Sequence, residues 1–370
     1  MSISKEMYDS MVREEVHNLK PYIPGKPIEE VKEEYNLESV TKLASNENPL
    51  GLSEKVKKAV ANEIENIYRY PDGGCRIIKN ALAKKLDIIE EMLLFGNGSD
   101  GLLKVIGETF INKGDQVIIF DPTFVEYTFV SNLMGAEIKR VKMNPYHQDI
   151  KSMTRMITNE TKMVFLTNPH NPAGTIINNE DLKYFMDNIP ENVLVILDEA
   201  YYEYVQDEDY PDVLEYIEAG YPIIALRTFS KAYGLAGLRI GYAIANSQLI
   251  GLLSKTRDPF NVNRIAQIAA KAALDDQEFL KKAIEVNESG KKYLYKELES
   301  RDIKYVPTES NFILVNIVMD SIEVFNKLLK MGVIIRPGKP LGYSEHIRVT
   351  IGLPEENKIF IDSIDKLLVE

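Results

Sequence analysis

The sequence predicts an α/β fold: a mainly parallel sheet with helices on both faces, together with a smaller α+β domain. The first observation is a series of continuous apolar runs separated by helical stretches, which is typical of parallel strands buried on both faces. These runs cover residues 93–95, 116–120, 163–167, 193–197 and 223–226. The second observation is that a polar loop follows each run. Because ligands of open α/β sheets bind beyond the carboxyl ends of the strands, we expect these loops to meet at one site.

Length and composition narrow the class of protein. The chain has 370 residues, of which 45% are hydrophobic, enough for about two domains around a large core. Its net charge of −12 argues against nucleic acid or an anionic membrane as a non-specific partner. The single cysteine, Cys75, allows no intrachain disulfide and favours a reducing compartment, so we expect the cytoplasm. No apolar run is long enough to span a membrane, and no secretory signal or metal-ligand spacing is evident.

The chain divides into three parts. Residues 1–30 are charged and rich in proline, and Pro21, Pro24 and Pro27 prevent a regular helix there, so we predict an N-terminal arm. A large domain is predicted over 45–260. A small domain is predicted from 31–44 and 275–370, with strands over 312–315, 333–336 and 347–351 separated by helices.

The stretch 228–242 follows the last apolar run and carries the strongest chemical signal. It places Lys231 beside Ser230, with Arg239 eight positions later. A lysine whose pKa is lowered by burial or by neighbouring cations can form a Schiff base with an aldehyde. A hydroxyl and a guanidinium suit a phosphate. These residues therefore indicate an aldehyde that carries a phosphate, although the same charges also suit an ordinary surface loop.

A second candidate is the glycine-rich turn that contains Gly98, Ser99 and Asp100, between a strand and a helix expected to begin at Leu102. The free amides and the partial positive charge of a helix N-terminus form an anion site. Gly98 lets a phosphate approach the backbone, and Ser99 adds a hydroxyl. Many glycine-rich turns only reverse the chain, so this signal alone is weak.

Four further loop residues suit an aromatic ring. Asp198 could accept a hydrogen bond from a protonated pyridine nitrogen, or it could cap a helix. Tyr201 and Asn171 could hydrogen-bond a phenolic oxygen, or Asn171 could belong to a simple turn. Phe124 offers a flat face for stacking, although such residues are also common in cores.

The stretch 228–242 closely resembles the lysine signature of the class I/II aminotransferases, which are fold-type-I pyridoxal-phosphate enzymes. The order of the candidate loops is also that of this family, from about Leu43 to Ile351. Within the family the chain resembles the histidinol-phosphate aminotransferase branch, through strings that begin at Asn18, Leu43, Arg69, Asp198 and Arg336. The resemblance implies the fold-type-I architecture and pyridoxal 5'-phosphate as the cofactor.

The resemblance also implies a role for each candidate residue. Lys231 would be the catalytic Schiff-base lysine. The other cofactor-binding residues would be Asp198 at the pyridinium, Tyr201 and Asn171 at the ring oxygen, Phe124 on the ring face, and Gly98, Ser99, Asp100, Ser230 and Arg239 at the phosphate. Tyr70 would reach the cofactor phosphate of a second subunit, which implies a homodimer with shared sites. Arg348, Arg336, Tyr22 and Asn171 would face the substrate.

The activity implied is transfer of an amino group between L-histidinol phosphate and 2-oxoglutarate, in histidine biosynthesis. Two arginines and a phenol suit the dianionic phosphate of that substrate better than a single carboxylate clamp would. Arg336 also suits a structural role. The alternatives are an aromatic amino-acid aminotransferase, a threonine-phosphate decarboxylase and, from another class, a non-catalytic regulator. The sequence departs from the family at Gly101, where Glu is usual, and at Phe124, which has no hydroxyl where Tyr is frequent.

Overall fold

Strands in the middle of the chain form one large sheet, and two smaller sheets use strands that lie towards the two ends of the chain. The computed structural model describes residues 5–17, 19–21 and 25–369. The strands are β1 (Thr41–Lys42), β2 (Leu93–Gly96), β3 (Gln116–Asp121), β4 (Glu137–Lys142), β5 (Thr161–Thr167), β6 (Leu194–Asp198), β7 (Ile223–Thr228), β8 (Gly241–Ala245), β9 (Lys304–Val306), β10 (Phe312–Asn316), β11 (Val333–Ile334), β12 (Arg336–Pro337) and β13 (His346–Thr350).

Helices connect these strands and cover the sheets. They are α1 (Lys5–Asp9), α2 (Glu14–His17), α3 (Ile28–Tyr35), α4 (Glu54–Glu63), α5 (Arg76–Leu86), α6 (Gly98–Phe110), α7 (Val125–Leu133), α8 (Ile150–Met156), α9 (Asn179–Asp187), α10 (Val213–Glu218), α11 (Ser247–Thr256), α12 (Arg264–Leu274), α13 (Gln277–Glu299), α14 (Ser321–Lys330) and α15 (Pro354–Val369). Among the helices of the described ranges, none combines the length and the apolar character that crossing a membrane requires.

The large sheet has the strand order β2-β8-β7-β6-β5-β3-β4. Strands β3 to β7 run parallel, whereas β8 is antiparallel to both β2 and β7. All five predicted strands are present. The sequence did not predict β4, a largely exposed and charged edge strand, or β8, which lies between β2 and β7. The mainly parallel sheet is therefore confirmed, with an antiparallel insertion at one side.

Alternate residues of the central strands pack on opposite faces of the sheet. In β6, Val195 and Leu197 belong to one apolar cluster, and Leu194 and Ile196 to the other. Helices α5, α8, α9, α10 and α12 cover the first face, and α6, α7 and α11 cover the second. Each fully buried aliphatic side chain contributes about 1.5–3 kcal/mol, which explains why the middle residues of these strands are apolar on both faces.

The remaining strands form the two small sheets. Strands β12-β13-β10-β9 form an antiparallel sheet, and β1 pairs in parallel with β11. Helices α13, α14 and α15 pack against the antiparallel sheet. Val31 of α3 packs with Ala44, Leu329 and Ile334. This contact joins the segment 31–44 to the C-terminal part of the chain, and the division into 1–30, 45–260, and 31–44 with 275–370 stays a proposal.

Helix α6 begins earlier than the sequence predicted. It starts at Gly98 rather than at Leu102, because Gly98 has a φ of +74° and closes the turn immediately after β2. Ser99 and Asp100 consequently lie in the first helical turn. Their backbone amides belong to the part of a helix that has no internal acceptors.

Candidate active site

A cavity of about 710 Å³ lies beyond the carboxyl ends of the parallel strands, against the antiparallel small sheet. It brings together most of the predicted site residues, namely Ser99, Asp100, Phe124, Asn171, Asp198, Tyr201, Ser230, Lys231, Arg239, Arg336 and Arg348. Neither Gly98 nor Tyr70 lines the cavity, although Gly98 lies next to the Arg239 guanidinium. The predicted residue Tyr22 lies outside the described residues.

Lys231 follows β7 and carries the only amine that the sequence predicted to be reactive. Its Nζ donates to the carbonyl of Ser45 at 3.1 Å. Burial, followed by the nearby Arg348 guanidinium, lowers the pKa of Lys231 to about 8. A useful fraction of the amine is therefore neutral near physiological pH, which a nucleophile and a proton acceptor both require.

Asp198 ends β6 and is 3% exposed. Its Oδ2 accepts from the Tyr127 hydroxyl at 2.7 Å, and its Oδ1 accepts from the Ala200 amide at 3.0 Å. Thr167 in turn donates to the Tyr127 oxygen at 3.0 Å. Burial raises the pKa of Asp198 to about 6, and these two donors partly oppose that shift. Asp198 is thus a fixed, desolvated acid that gains from a positively charged partner.

Tyr201 and Asn171 meet above Lys231. Nδ2 of Asn46 donates to the Tyr201 hydroxyl at 2.9 Å, and Nδ2 of Asn171 approaches the same oxygen at 3.4 Å. Oδ1 of Asn171 accepts from Arg348 at 2.7 Å, while a second Arg348 nitrogen donates to the Ala44 carbonyl at 2.9 Å. The arginine predicted to face the substrate and the predicted ring-oxygen partners therefore belong to one hydrogen-bond network.

The opposite end of the cavity collects groups that suit an anion. Arg239 donates to Asp100 at 2.9 Å and to the Ser230 hydroxyl at 3.4 Å. Ser99 lies in the first turn of α6 and lines the same region. A Cβ at Gly98 would lie 2.5 Å from the Arg239 guanidinium, so only glycine lets the arginine pack here. The Asp100 carboxylate itself holds Arg239 rather than offering a donor.

Arg336 and Arg348 lie directly opposite each other on β12 and β13. Directly paired residues of antiparallel strands project from the same face with their Cβ atoms about 4.5–5.5 Å apart. Both side chains line the cavity, and Leu19, Lys20 and Pro21 of the arm line it as well. This part of the cavity wall therefore carries two arginines at directly paired strand positions.

Phe124 and Tyr70 have contrasting surroundings. Phe124 lines the cavity and packs edge-on against Tyr127, with ring centroids 5.6 Å apart. Tyr70 is 80% exposed and stacks on Phe260 at 4.8 Å. The Tyr70 phenol thus lies on the outside of a single chain, away from that chain's own cavity.

Sequence reasoning missed three residues of the site: Asn46, Tyr127 and Ser45. Asn46 lies in the string that begins at Leu43, which contributed to the family resemblance without a role for this residue, although its φ of +56° marks an unusual position. Tyr127 lies in α7 among apolar residues, where a buried hydroxyl requires a partner. Ser45 contributes only its backbone carbonyl, for which no sequence pattern exists.

The residues present fit an aromatic aldehyde that carries a phosphate. A desolvated lysine would meet the aldehyde, a buried acid would meet a ring nitrogen, and a guanidinium with two hydroxyls would meet the phosphate. The donor set offers no comparable arrangement for a metal. In the part of the chain that the structure describes, no group of three or more histidine, cysteine or carboxylate side chains could hold an ion.

Comparisons with known proteins agree with this geometry. The chain is 49% identical over 357 residues to a histidinol-phosphate aminotransferase of Moorella thermoacetica, covering 96% of this chain and 92% of that protein. It is 44% identical to the enzyme of the same name from Caldicellulosiruptor saccharolyticus, covering 97% and 100% of the two chains. The crystal structure of histidinol-phosphate aminotransferase from Sinorhizobium meliloti in complex with pyridoxal-5'-phosphate superimposes with a TM-score of 0.88, at 26% identity and with 97% and 98% coverage.

The fold-type-I architecture that the sequence predicted is thereby confirmed. The family model for aminotransferases of class I and II matches residues 38–364, a range that holds the lysine loop, the acid of β6 and both arginines of the small sheet. Since the match covers most of the chain and every part of the cavity beyond the arm, the chain belongs to the class I and II aminotransferase family.

Proposed function

We propose that this enzyme is a pyridoxal-phosphate-dependent transaminase acting on L-histidinol phosphate. It moves the amino group between this substrate and 2-oxoglutarate, with imidazole acetol phosphate and glutamate as the other pair, in histidine biosynthesis. The similarity of 40–49% to relatives that carry this name supports the assignment. The aromatic aminotransferase, decarboxylase and regulator alternatives lack comparable support.

The observation that carries the substrate assignment is the pairing of Arg336 with Arg348 at the cavity wall. A single guanidinium binds a carboxylate in a bidentate manner. Two adjacent guanidinium groups provide more positive charge than one carboxylate needs, and they suit a dianionic phosphate. Glutamate, which has a carboxylate at the corresponding end, can use the same pair in the second half of the reaction.

The cofactor proposal assigns each wall of the cavity one part of pyridoxal phosphate. Arg239, Ser230 and Ser99 would hold its phosphate, with Gly98 leaving room for Arg239 and Asp100 orienting it. Asp198 would hold its ring nitrogen, Tyr201 and Asn171 its ring oxygen, and Phe124 one ring face. When bound, the cofactor supplies an electron sink that makes the proton on the substrate's α-carbon acidic.

Lys231 performs the proton transfer. Its neutral Nζ would accept the α-carbon proton of the substrate and deliver it to the cofactor's C4′ atom, so that the amino group stays with the cofactor until the second substrate takes it. Arg348 contributes twice, since it lowers the pKa of this amine and orients the anionic end of the substrate. The hydrogen bond from Arg348 to Asn171 fixes the arginine that would bind the substrate relative to the asparagine that would bind the cofactor's ring oxygen.

The substrate assignment is tested by comparing kcat/KM for histidinol phosphate, phenylalanine and O-phosphothreonine, in the wild type and in Arg336→Ala. We expect histidinol phosphate to be preferred. Arg336→Ala should lower kcat/KM for the phosphate substrate by about ten- to a hundredfold, because charge-assisted hydrogen bonds are worth about 1.5–3 kcal/mol. Phenylalanine should be affected much less.

The control is Arg155→Ala, which removes an exposed arginine of α8 that does not line the cavity. It should leave all three kcat/KM values unchanged. A wild type that prefers phenylalanine would contradict the assignment, and release of carbon dioxide without an oxo-acid acceptor would favour the decarboxylase.

We further propose a homodimer in which Tyr70 reaches the cofactor phosphate of the partner subunit. The exposed Tyr70 stacks on the exposed Phe260, and the exposed apolar side chains Ile64, Ile67 and Tyr68 shortly precede Tyr70 in the chain. Exposed apolar side chains that gather into a patch mark protein interaction surfaces. We also propose a cytoplasmic location, because a single cysteine suits a reducing compartment.

A further inference from the structure

One short segment, Ala44 to Asn46, contacts three different functional groups of the cavity. The contacts are the Ala44 carbonyl with Arg348 at 2.9 Å, the Ser45 carbonyl with Lys231 at 3.1 Å, and the Asn46 side-chain amide with the Tyr201 hydroxyl at 2.9 Å. The first two contacts use only backbone carbonyls. The third depends on the identity of the side chain, so Asn46 is the position where a substitution can test the segment.

The orientation of the Asn46 amide follows from its neighbours. The backbone N–H of Asn46 can only donate, and it does so to the Thr350 hydroxyl oxygen at 2.9 Å. The Thr350 hydroxyl proton is then available for Oδ1 of Asn46 at 3.1 Å. Asn311 donates to the Asn46 carbonyl at 3.0 Å. With Oδ1 fixed toward Thr350, Nδ2 of Asn46 must face Tyr201.

A second amide approaches Tyr201 with an orientation that is fixed in the same way. Arg348 can only donate, so it fixes Oδ1 of Asn171 toward itself and Nδ2 toward Tyr201. The phenolic oxygen has two acceptor positions, and the two amides address both. The phenol's own proton is therefore directed away from them, into the cavity that Tyr201 lines.

We propose that Asn46 is a positioning residue of the active site, which acts through Tyr201 by directing the phenolic proton toward the cofactor's ring oxygen. Asn46 is 1% exposed and has a φ of +56°, a conformation that Asn tolerates better than most residues. Thr350 lies two residues after Arg348 on β13, so both side chains project from the same face of the small sheet. Through Thr350 the small sheet thereby orients the Tyr201 phenol, and it also positions Arg348, which we propose binds the anionic end of the substrate.

The inference rests on the proposed function only in that the site binds pyridoxal phosphate; it does not depend on the substrate. The test is Asn46→Asp in the enzyme reconstituted with pyridoxal phosphate, read as a pH titration of its visible absorption. An ionised Asp at position 46 accepts the Tyr201 proton and withdraws it from the cavity. Because an anionic oxygen without a donor binds protons more tightly, we expect the absorption midpoint to rise by about one pH unit. The dissociation constant of pyridoxal phosphate should rise about tenfold.

Three further variants separate positioning from general damage. Thr350→Val removes the group that orients the amide and should move the midpoint in the same direction, whereas Thr350→Ser keeps the hydroxyl and should keep the wild-type midpoint. Asn357→Asp is the matched control, since its buried amide bridges the Gly352 backbone and does not line the cavity. It should lower thermal stability without moving the midpoint.

The inference is overturned if folded Asn46→Asp and Thr350→Val both titrate like the wild type, or if Asn357→Asp shifts the midpoint equally. If Asn46→Asp does not fold, Thr350→Val and Thr350→Ser decide the question. A wild type without any visible band in the presence of pyridoxal phosphate would instead refute the proposed function, so the two failures are distinguishable.

Discussion

The ionised form of Asp198 is unfavourable in the cofactor-free protein, and we propose that a positively charged group of the ligand offsets this cost. It is buried with only a phenol and one backbone amide as donors, and its pKa rises from 3.8 to about 6. The folded chain therefore binds this proton more tightly than the unfolded chain does. The resulting stability is fully present below about pH 3.8 and is lost as pH rises through about 6.

Replacing this acid should stabilise the cofactor-free protein. The shift of about two pKa units corresponds to about 2–3 kcal/mol in the free energy of unfolding. The stability advantage of Asp198→Asn over the wild type should therefore grow by roughly that much as the pH rises from about 4 to about 8. The measurement is urea unfolding of both cofactor-free proteins at each pH. Taking the difference at each pH cancels the other titrating groups. The same variant should bind pyridoxal phosphate far more weakly.

Asp187→Asn is the control for this prediction. Asp187 is an exposed carboxylate whose pKa is lowered by hydrogen bonds from Lys183 and Tyr221, so its contribution has the opposite sign. Its substitution should reduce stability slightly at high pH. If the difference in unfolding free energy between Asp198→Asn and the wild type does not change with pH, burial does not raise the pKa of this carboxyl group.

Residues that would contact the cofactor directly could be predicted from the sequence. The residues that hydrogen-bond to them and hold them in place could not. Lys231, Asp198 and Arg239 end strands or follow them, and local spacing was enough to propose them. Asn46 and Tyr127 act through partners 155 and 71 positions away. Because only the tertiary fold brings such partners together, spacing carries no trace of them.

At the scale of single elements, the first turn of α6 depends on one glycine. Gly98 has a positive φ, and a Cβ there would lie 2.5 Å from Arg239. Gly98→Ala should therefore displace the guanidinium and raise the dissociation constant of pyridoxal phosphate about ten- to a hundredfold, since a charge-assisted hydrogen bond is worth about 1.5–3 kcal/mol. Absorbance or fluorescence titration of the cofactor-free protein measures this.

Gly101 provides a matched control in the same helix. A Cβ at Gly101 would meet only the Asn97 side chain, at 3.3 Å, and its φ is not positive. Gly101→Ala should therefore bind pyridoxal phosphate as the wild type does. It should also raise stability by about 0.5–1 kcal/mol, the usual gain for alanine within a helix. Equal losses of affinity in both variants would contradict the role assigned to Gly98.

Strands differed in how well the sequence predicted them. The five strands that the sequence predicted are largely apolar because both of their faces are covered, and this produces a clear pattern. Strand β4 is a charged edge strand, and β8 begins at a glycine within the loop-like stretch that follows Lys231. Strand β8 pairs with both β2 and β7, and its pairing with β2 joins segments that are far apart in the chain.

At the scale of the whole molecule, Tyr70 does not reach the cavity of its own chain. Its phenol is exposed and does not line the cavity, whereas the side chains of Ser99, Ser230 and Arg239, predicted to bind the cofactor phosphate, do line it. The proposed dimer accounts for both facts, because a symmetric partner would present its own Tyr70 to this cavity. Tyr70→Phe should then weaken pyridoxal phosphate binding about tenfold while the protein stays folded.

A mixture of two defective chains tests whether the sites are shared. Lys231→Ala chains lack the amine, and Tyr70→Phe chains lack the phenol, so neither homodimer has an intact site. A mixed dimer has one site with both groups. At equal amounts of the two chains, about half of the dimers should be mixed after subunit exchange. Activity measured at limiting pyridoxal phosphate should then exceed that of either parent, whereas unexchanged chains should give only the sum of the parents. If exchange is demonstrated by mass and no activity is recovered, Tyr70 acts within its own chain or not at all.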